Sequence, residues 1–433
     1  MSVFLIWTGL LLAASGDPAA NPELTNQVNR LVGQLNAPEL TQRDQAERKL
    51  LELGAVVLPL LPEIGESTPQ EVSLRVTRVQ QKLLRAHANA TVEPSLVTLK
   101  RANLPLAEAL QAIATQTHNP IIDHREAFGE KADPARVHAD FEKTPFWQAL
   151  DRVLDQAELT LYGYAGERGA FVVNRPAGES PRSERAVYAG VFRLEPIRFE
   201  AVRDLRNTNA QSQSLKLFLE VTWEPRLRPI AVLQPLREIR ATGDTGEVIA
   251  AASGDAEPEA AIRDGISAAE LEIPLNLPKR TTERISTLKG KLLVLIPGEA
   301  QDFHFRKLPI VAKNLAPKSV EQRKAGATVT IDHVRKNNLA WEVSLRVRFD
   351  EPSVALESHR SWILENPVYF VGPDGQRIEP GGFEQTRQNK DEVGVNYFFD
   401  LKDGPEKLDF VYRTPITILE MAVDYEFRDL RLP

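Results

Sequence analysis

A helix-sized pattern occurs twice in this chain, at residues 103 to 117 and again at 143 to 157. In each copy a proline, Pro105 or Pro145, stands where the first turn of a helix tolerates it. Apolar residues then follow at the i, i+3, i+4, i+7 spacing that lines one helical face. The matched pairs are Leu106 with Phe146, Ala109 with Ala149, Leu110 with Leu150, Ile113 with Val153, and Ala114 with Leu154. The repeat predicts two equivalent helices and supplies no reaction chemistry.

Short β-type patterns surround both copies. They lie at residues 97 to 99, 121 to 122, 137 to 141, 159 to 162 and 170 to 173. The order β-α-β, β-α-β predicts a small module over residues 95 to 174, with its helices on one face of a small sheet. Leu110 and Leu150 are expected at equivalent buried positions in it.

Particular residues of the module match a known pattern. They are Leu106, Glu108, Ala109 and Leu110 in the first helix, and Ala149, Leu150, Leu154, Leu159 and Tyr162 in the second half. On these residues the module resembles the short N-terminal domain of secretins and TonB-dependent receptors. The chain downstream of the module departs from both families. The resemblance implies an envelope protein in which the module serves protein–protein interaction or assembly.

Residues 22 to 90 have a helical pattern. Ala46, Leu50 and Leu53 share one face, Gly54 is a typical helix stop, and another helix is predicted to start at Ala55. This pair resembles one HEAT-type repeat. Because such repeats need stacked neighbours to bury a core, we expect a small helical cap rather than a solenoid.

The second half of the chain has β-type alternation. A linker-like stretch at 174 to 184 precedes two predicted antiparallel, Ig-like β-sandwiches, residues 185 to 312 and 326 to 433. The alternative is one composite β domain. The predicted fold class is therefore multidomain α+β: a helical segment, a small α/β module and two sandwiches.

Each predicted sandwich carries a strand with aromatic residues on alternate positions. These are Phe303 and Phe305 in the first, and Tyr425 and Phe427 in the second. Such a half-buried strand is expected to close the sheet of its own sandwich. Deletion from Tyr425 onward is then predicted to unfold the second sandwich and to leave residues 1 to 310 folded.

Residues 1 to 16 have the pattern of a signal peptide. The apolar run is too short to span a bilayer and ends in small residues at Ala13 to Gly16. The alternative is a mature N-terminal helix that docks on the core. We therefore expect a periplasmic or secreted protein without a membrane span after signal cleavage.

Composition excludes several kinds of site. The chain has no cysteine, which rules out disulfides, thiolate metal sites and a lipoprotein anchor. Its net charge of −7 gives no electrostatic footprint for nucleic acid.

No catalytic motif is found, and no cofactor or metal is predicted. The weak metal candidates are His118, Asp123, His124 and His138, whose spacing matches no ligand motif.

Several residues could contact a partner. Arg226 and Arg228, like Arg346 and Arg348, alternate on predicted strands, so each pair would lie on one face. They predict either a cationic surface or a solvated sheet face paired with Glu and Asp. Trp147 interrupts the polar face of its helix and would be either an exposed contact or packed under the helical cap.

The leading hypothesis is a non-enzymatic exported envelope protein whose partner is another envelope protein. The runner-up is an extracytoplasmic binding protein for a small ligand or cell-wall glycan. Exposed aromatic residues such as Trp341, Trp362 and Tyr369, clustered beside arginines, would favour it. A hydrolase with a site assembled from distant residues is the third hypothesis.

Overall fold

The computed structural model describes residues 21 to 433 except 63, 66, 133, 164–165, 208–212, 261, 263–264, 312–317, 338–339, 353 and 358. The predicted signal peptide, residues 1 to 16, lies outside the described residues. Of the residues that the structure describes, 43% lie in strands and 23% in helices, so this part of the protein is mostly β. It divides into two compact units, residues up to 87 and residues from 88 onward. The predicted β-rich, multidomain class agrees with this architecture.

The first unit is helical. It contains α1 (Pro22–Gln34), α2 (Leu40–Glu52), a 3₁₀ helix (Ala55–Leu60) and most of α3 (Gln70–Thr91). Apolar residues of all four segments form one core. The helix predicted to start at Ala55 is only a 3₁₀ turn, because Pro59 lacks the N–H that would continue it. Among the described residues, none of the helices is both long enough and apolar enough to span a membrane.

The α/β module opens the second unit. Its elements are β1 (Leu96–Pro105), α4 (Leu106–Thr117), β2 (Ile121–Asp123), β3 (Arg136–Pro145), α5 (Phe146–Gln156), β4 (Leu159–Tyr162) and β5 (Ala170–Asn174). β1 and β3 form an antiparallel ribbon, and β2, β5 and β4 form a separate three-stranded sheet. Leu110 and Leu150 are both buried in one core with both sheets. The single sheet that we predicted is wrong, because α5 buries residues around most of its circumference and needs cover on more than one side.

The duplication in the module extends to its backbone. Asn103 and Lys143, each two residues before a helix-starting proline, both adopt the left-handed conformation, with φ of 55° and 47°. The first N–H of each helix donates to the carbonyl just before the other strand of the ribbon. These bonds are Leu106 N–H to Ala135 O and Phe146 N–H to Ser95 O, both 2.9 Å. The two halves are therefore related by a pseudo-two-fold arrangement.

The first β subdomain follows. Its elements are α6 (Arg182–Arg185), β6 (Val187–Ala189), β7 (Phe192–Arg203), β8 (Gln213–Trp223), β9 (Ala231–Leu233), β10 (Arg240–Gly243), β11 (Val248–Ile249), β12 (Glu259–Ala260), β13 (Ala268–Leu275) and β14 (Arg284–Pro297). Sheet I has the order β6-β7-β8-β13. In sheet II, β14 pairs with both β10 and β9. The sheet continues from β10 to β11 and from β9 to β12. The two sheets share one hydrophobic core, in which Leu219 of sheet I and Leu292 of sheet II are both buried.

The second β subdomain has two more sheets. Its strands are β15 (Ala300–Phe305), β16 (Val320–Lys324), β17 (Ala327–Asn337), β18 (Ala340–Phe349), β19 (Val368–Val371), β20 (Arg377–Ile378), β21 (Gly382–Gln388), β22 (Glu392–Phe399) and β23 (Asp409–Pro415), and β24 (Ile418–Arg431) follows them. Sheet III has the order β15-β23-β19-β20, and sheet IV the order β16-β17-β18-β22-β21. Phe399 of sheet IV packs edge-to-face on Phe370 and Phe410 of sheet III, at centroid distances of 4.7 and 6.2 Å.

A long two-stranded ribbon joins the two β subdomains. β14 pairs with β24, and β15 pairs with β23, in a single antiparallel register. At the junction Gly298 N–H donates to Thr417 O at 2.9 Å, and Ile416 N–H donates to Glu299 O at 3.0 Å. The register therefore continues without a shift from one subdomain into the other.

This ribbon corrects the predicted order of strands. The strand with Phe303 and Phe305 does not close the first subdomain but belongs to sheet III. The strand with Tyr425 and Phe427 belongs to sheet II, where both residues enter the core of the first subdomain. Deletion from Tyr425 would thus remove part of the first subdomain rather than the second. The prediction of two independent sandwiches, at 185 to 312 and 326 to 433, is therefore wrong in its assignment of these two strands. Alternation of apolar and polar residues shows which face of a strand is buried, but not which strand it pairs with.

Candidate interaction surface

Three side chains lie in a row on the three-stranded sheet of the module: Ile122, Phe171 and Tyr162 occupy paired positions on β2, β5 and β4. Their chain neighbours Ile121, Val172 and Leu161 pack in or against the core of the module. Because side chains alternate along a strand, the row lies on the outer face of the sheet, away from the helices.

An aromatic cluster covers the centre of this row. The rings of His124 and Phe128 lie edge-to-face at 5.4 Å, His124 lies 5.2 Å from Phe171, and Phe128 lies 5.1 Å from Tyr162. Phe171 is thereby only 2% exposed, whereas Phe128, Tyr162 and Ile122 remain 50%, 38% and 36% exposed. We call these five residues the outer aromatic face. Clustered exposed apolar groups of this kind mark interaction sites more often than isolated ones do.

Trp147 lies elsewhere on the module and is buried. Its Nε1–H donates to the carbonyl of Val191 at 3.0 Å. Trp147 is therefore not the exposed contact that was one of its two predicted roles. The indole anchors α5 to the turn between β6 and β7 of the first β subdomain.

A buried charge network strengthens the same attachment. Asp151 of α5 accepts from Arg182 Nε at 2.8 Å and from Arg193 Nε at 2.7 Å. Tyr188 O–H donates to Asp151 at 2.8 Å, and Arg193 also pairs with Glu195 at 2.7 Å. The stretch at 174 to 184, predicted as a linker, therefore supplies an arginine that is buried in this network.

The network shifts the acidities of its members. Burial alone raises the pKa of the Asp151 carboxyl, but Arg182 and Arg193 outweigh it and hold that pKa below its usual range. The pKa of the Tyr188 hydroxyl is raised, mainly by burial and secondly by the nearby Asp151 carboxylate. Asp151 is thus an ionised structural group, held by two arginines and a tyrosine.

A second polar cluster centres on Glu224, which is buried. Its carboxylate accepts from Ser95 N–H at 2.9 Å, Ser95 O–H at 2.6 Å and Asn119 Nδ2 at 3.1 Å. Arg226 Nε donates to the same carboxylate at 2.6 Å. Arg226, predicted as a partner contact, is therefore engaged within the protein, and this cluster also joins the module to the first β subdomain.

The other predicted arginines differ in their surroundings. Arg346 donates two 2.7 Å bonds to Asp332 and one of 3.1 Å to Glu392, as in a paired sheet face. Arg228 and Arg348 are exposed. The predicted strand for Arg226 and Arg228 is wrong, because both residues lie in the loop between β8 and β9. Since Arg226 and Arg346 are neutralised by carboxylates, they do not form the cationic surface that was the other possibility.

The four metal candidates are not brought together as a ligand set. His118 and His138 are exposed, and the carboxylate of Asp123 is held by Arg125 through bonds of 2.9 and 2.6 Å. His124 belongs to the outer aromatic face. In the part of the chain that the structure describes, no group of three His, Asp or Glu side chains could hold a metal ion.

The aromatic residues that would favour a glycan site do not form an exposed cluster. Tyr369 is buried, with the Arg377 guanidinium over its ring at 4.3 Å. Trp362 donates its N–H to Ala355 O at 2.8 Å and packs on Phe349, while Trp341 is partly buried on β18.

No member of the outer aromatic face was predicted as a partner contact, although two of them left a signal in the sequence. Ile121 and Ile122 are adjacent in a short strand, which places one apolar residue on each face of the sheet. Phe128 is an isolated aromatic residue in a polar loop. Asp151 left none, since its partners come from distant parts of the chain, and neither did Glu224, whose partners Ser95 and Asn119 are also distant in sequence.

Comparison with known proteins adds no relative. The chain matches no family model, and no curated protein matches it.

Proposed function

We propose that this protein is a non-enzymatic exported envelope protein that binds another envelope protein through the outer aromatic face of its α/β module. The observation that carries the proposal is the division of the module's surface. Trp147, Asp151 and the partners of Glu224 attach it to the first β subdomain, whereas the outer aromatic face stays exposed.

The attachment supports a binding role. A surface held on paired strands and backed by the apolar core of the module loses little conformational freedom when it binds, which favours affinity. Aromatic side chains supply large contact areas with few rotatable bonds, and they are enriched at protein interfaces. The resemblance of residues 95 to 174 to the secretin and TonB-receptor domain supports the same assignment, and the pattern at residues 1 to 16 supports export.

Site-specific photo-crosslinking in intact cells tests the proposal. A crosslinking amino acid at Phe128 is compared with one at Phe383, a phenylalanine of similar exposure (50% and 51%) on β21. We expect a discrete crosslinked protein from position 128 only, and its loss when Tyr162→Ser is added. Thermal denaturation checks that each variant is folded. The same products from both positions, or a product that persists with Tyr162→Ser, would count against the outer aromatic face.

Fractionation of the same cells tests export. We expect the protein outside the cytoplasm, with residues 1 to 16 absent from its N-terminal sequence. Recovery of Met1 in a cytoplasmic fraction would contradict the proposed location while leaving the crosslinking result interpretable.

A further inference from the structure

The two β subdomains are built differently along the chain. The strands of sheets III and IV lie between Ala300 and Pro415, in one uninterrupted stretch. The first β subdomain instead combines β6 to β14 with β24, which follows the whole second subdomain in sequence. Pro297 and Ile418 are direct neighbours across the ribbon even though the second subdomain separates them.

β24 is an integral part of the first subdomain. Val423, Tyr425 and Phe427 are buried in the core shared by sheets I and II. The Tyr425 hydroxyl also donates to the buried side chain of Gln234 at 2.6 Å. Without β24, that core lacks a wall and one edge of β14 has its backbone groups unpaired, which is costly for an apolar strand.

The order in which the strands meet has an entropic consequence. Joining β14 to β24 in an unfolded chain closes a loop as long as the second subdomain, and the entropic cost grows with loop length. Once sheet III has formed, Ala300 and Pro415 are already paired. The next pairs of the ribbon, at Gly298–Thr417 and Pro297–Ile418, then follow in the same register with little further loop to close.

We propose that the two β subdomains fold in the reverse of their order in the sequence. The second folds first and presents β24 to β14 in register, and the first closes afterwards. If the chain is exported as proposed above, its first β subdomain closes only after the second has crossed the membrane; this last consequence alone rests on the proposed function.

Pulse-labelled hydrogen exchange during refolding of the full chain tests the order directly. Amides of β17, β18 and β22 are expected to become protected several-fold faster than those of β8 and β14. Protection of β8 and β14 first, or of all five strands in one phase, would overturn the proposal.

Mild core variants test the direction of the dependence. Phe399→Leu, in the second subdomain, is expected to slow protection of both subdomains. Val423→Ala, in β24, is expected to slow only the first. Asp424→Asn on the same strand is the matched control, because Asp424 is exposed to solvent. Slowing of the second subdomain by Val423→Ala, or normal closure of the first with Phe399→Leu, would refute the order; Phe370→Leu replaces Phe399→Leu if that variant does not fold.

A labelled synthetic peptide of residues 416 to 433 provides an independent readout. Added in excess during refolding of the full chain, it is expected to be captured on the open edge of β14. Added to the folded protein, it is expected not to bind. No capture during refolding, or equal capture by the folded protein, would show that β14 does not wait with an open edge.

Discussion

The side-chain amide of Gln156 pairs with both backbone groups of His138. The His138 N–H donates to Gln156 Oε1 at 2.8 Å, and Gln156 Nε2 donates to His138 O at 3.0 Å. Gln116 repeats the first of these bonds, accepting from Thr98 N–H at 2.9 Å. Thr98 and His138 both lie at register shifts of the β1–β3 ribbon and have no register partner across it, so the glutamines satisfy their N–H groups instead. This blunts a strand edge that would otherwise invite another strand.

Replacing Gln156 is predicted to weaken the module and expose this edge. Gln156→Ala removes two hydrogen bonds to His138, each worth roughly 1 kcal/mol. We expect a lower free energy of unfolding by chemical denaturation and a greater tendency to self-associate in analytical ultracentrifugation. Gln111→Ala, at an exposed position on α4, is the matched control. Equal behaviour of the two variants would show that Gln156 does not protect the edge.

The repeat that contains these glutamines was visible in the sequence, and so were the helices and most strands. The predicted strand at 159 to 162 coincides with β4, and the one at 170 to 173 is one residue shorter than β5. The role of Gln156 was not visible, because a polar residue near a helix end gives no indication that a strand edge lies beside it. Periodicity identifies the buried face of an element, and the repeat shows that two elements are alike, but neither identifies their partners.

Truncation of either equivalent leucine is predicted to destabilise the module. Leu110→Ala and Leu150→Ala each leave a cavity in the same core and should cost roughly 2–5 kcal/mol. Chemical denaturation followed by hydrogen exchange in β1 and β3 measures the loss. An unchanged midpoint for both variants would be incompatible with their buried positions.

Partners far apart in sequence explain what the sequence could not predict about the attachment of the module to the first β subdomain. Asp151, Arg182 and Arg193 come from a helix, a supposed linker and a strand, so no local spacing relates them. The exchange of β15 and β24 between subdomains is hidden for the same reason. In contrast, the two-sided strand at Ile121 and Ile122 could have indicated the outer aromatic face.

Glu220 gives a pH prediction. It lies between Glu195 and Glu270 on neighbouring strands of sheet I. The pKa of its carboxyl is raised above the usual 4.5, mainly by burial and secondly by the negative charge of Glu195. The folded state therefore binds a proton more tightly, and this contribution to stability is full below pH 4.5 and is lost as pH rises through the higher folded pKa. Glu220→Gln, which cannot ionise, should match wild type near pH 4 and be more stable at pH 8, by about 1.4 kcal/mol for each unit of the shift.

Two comparisons make the Glu220 measurement specific. Glu270→Gln, in the same row but more exposed, should change the pH dependence little. Asp151→Asn should have the opposite effect: it leaves two buried arginines without their carboxylate and should cost roughly 3–5 kcal/mol at neutral pH. Because the Asp151 pKa is lowered by folding, its stabilisation is present above pH 3.8 and is lost as pH falls through the folded value. A Glu220→Gln curve parallel to wild type from pH 4 to 8 would contradict the raised pKa.

Gly290 and Tyr425 give the last prediction, because they face each other across the β14–β24 ribbon. The tyrosine ring lies over Gly290 so closely that a Cβ there would overlap the ring, and its hydroxyl reaches Gln234. Gly290→Ala should displace the ring at a cost of roughly 1–3 kcal/mol. Tyr425→Phe should cost roughly 1–3 kcal/mol by leaving buried Gln234 without its donor. Both changes break the same hydrogen bond. In a double-mutant cycle measured by denaturation, the double variant should therefore lose less free energy of unfolding than the two single variants lose together. Strict additivity would mean that the close approach of Gly290 does not position the Tyr425 hydroxyl.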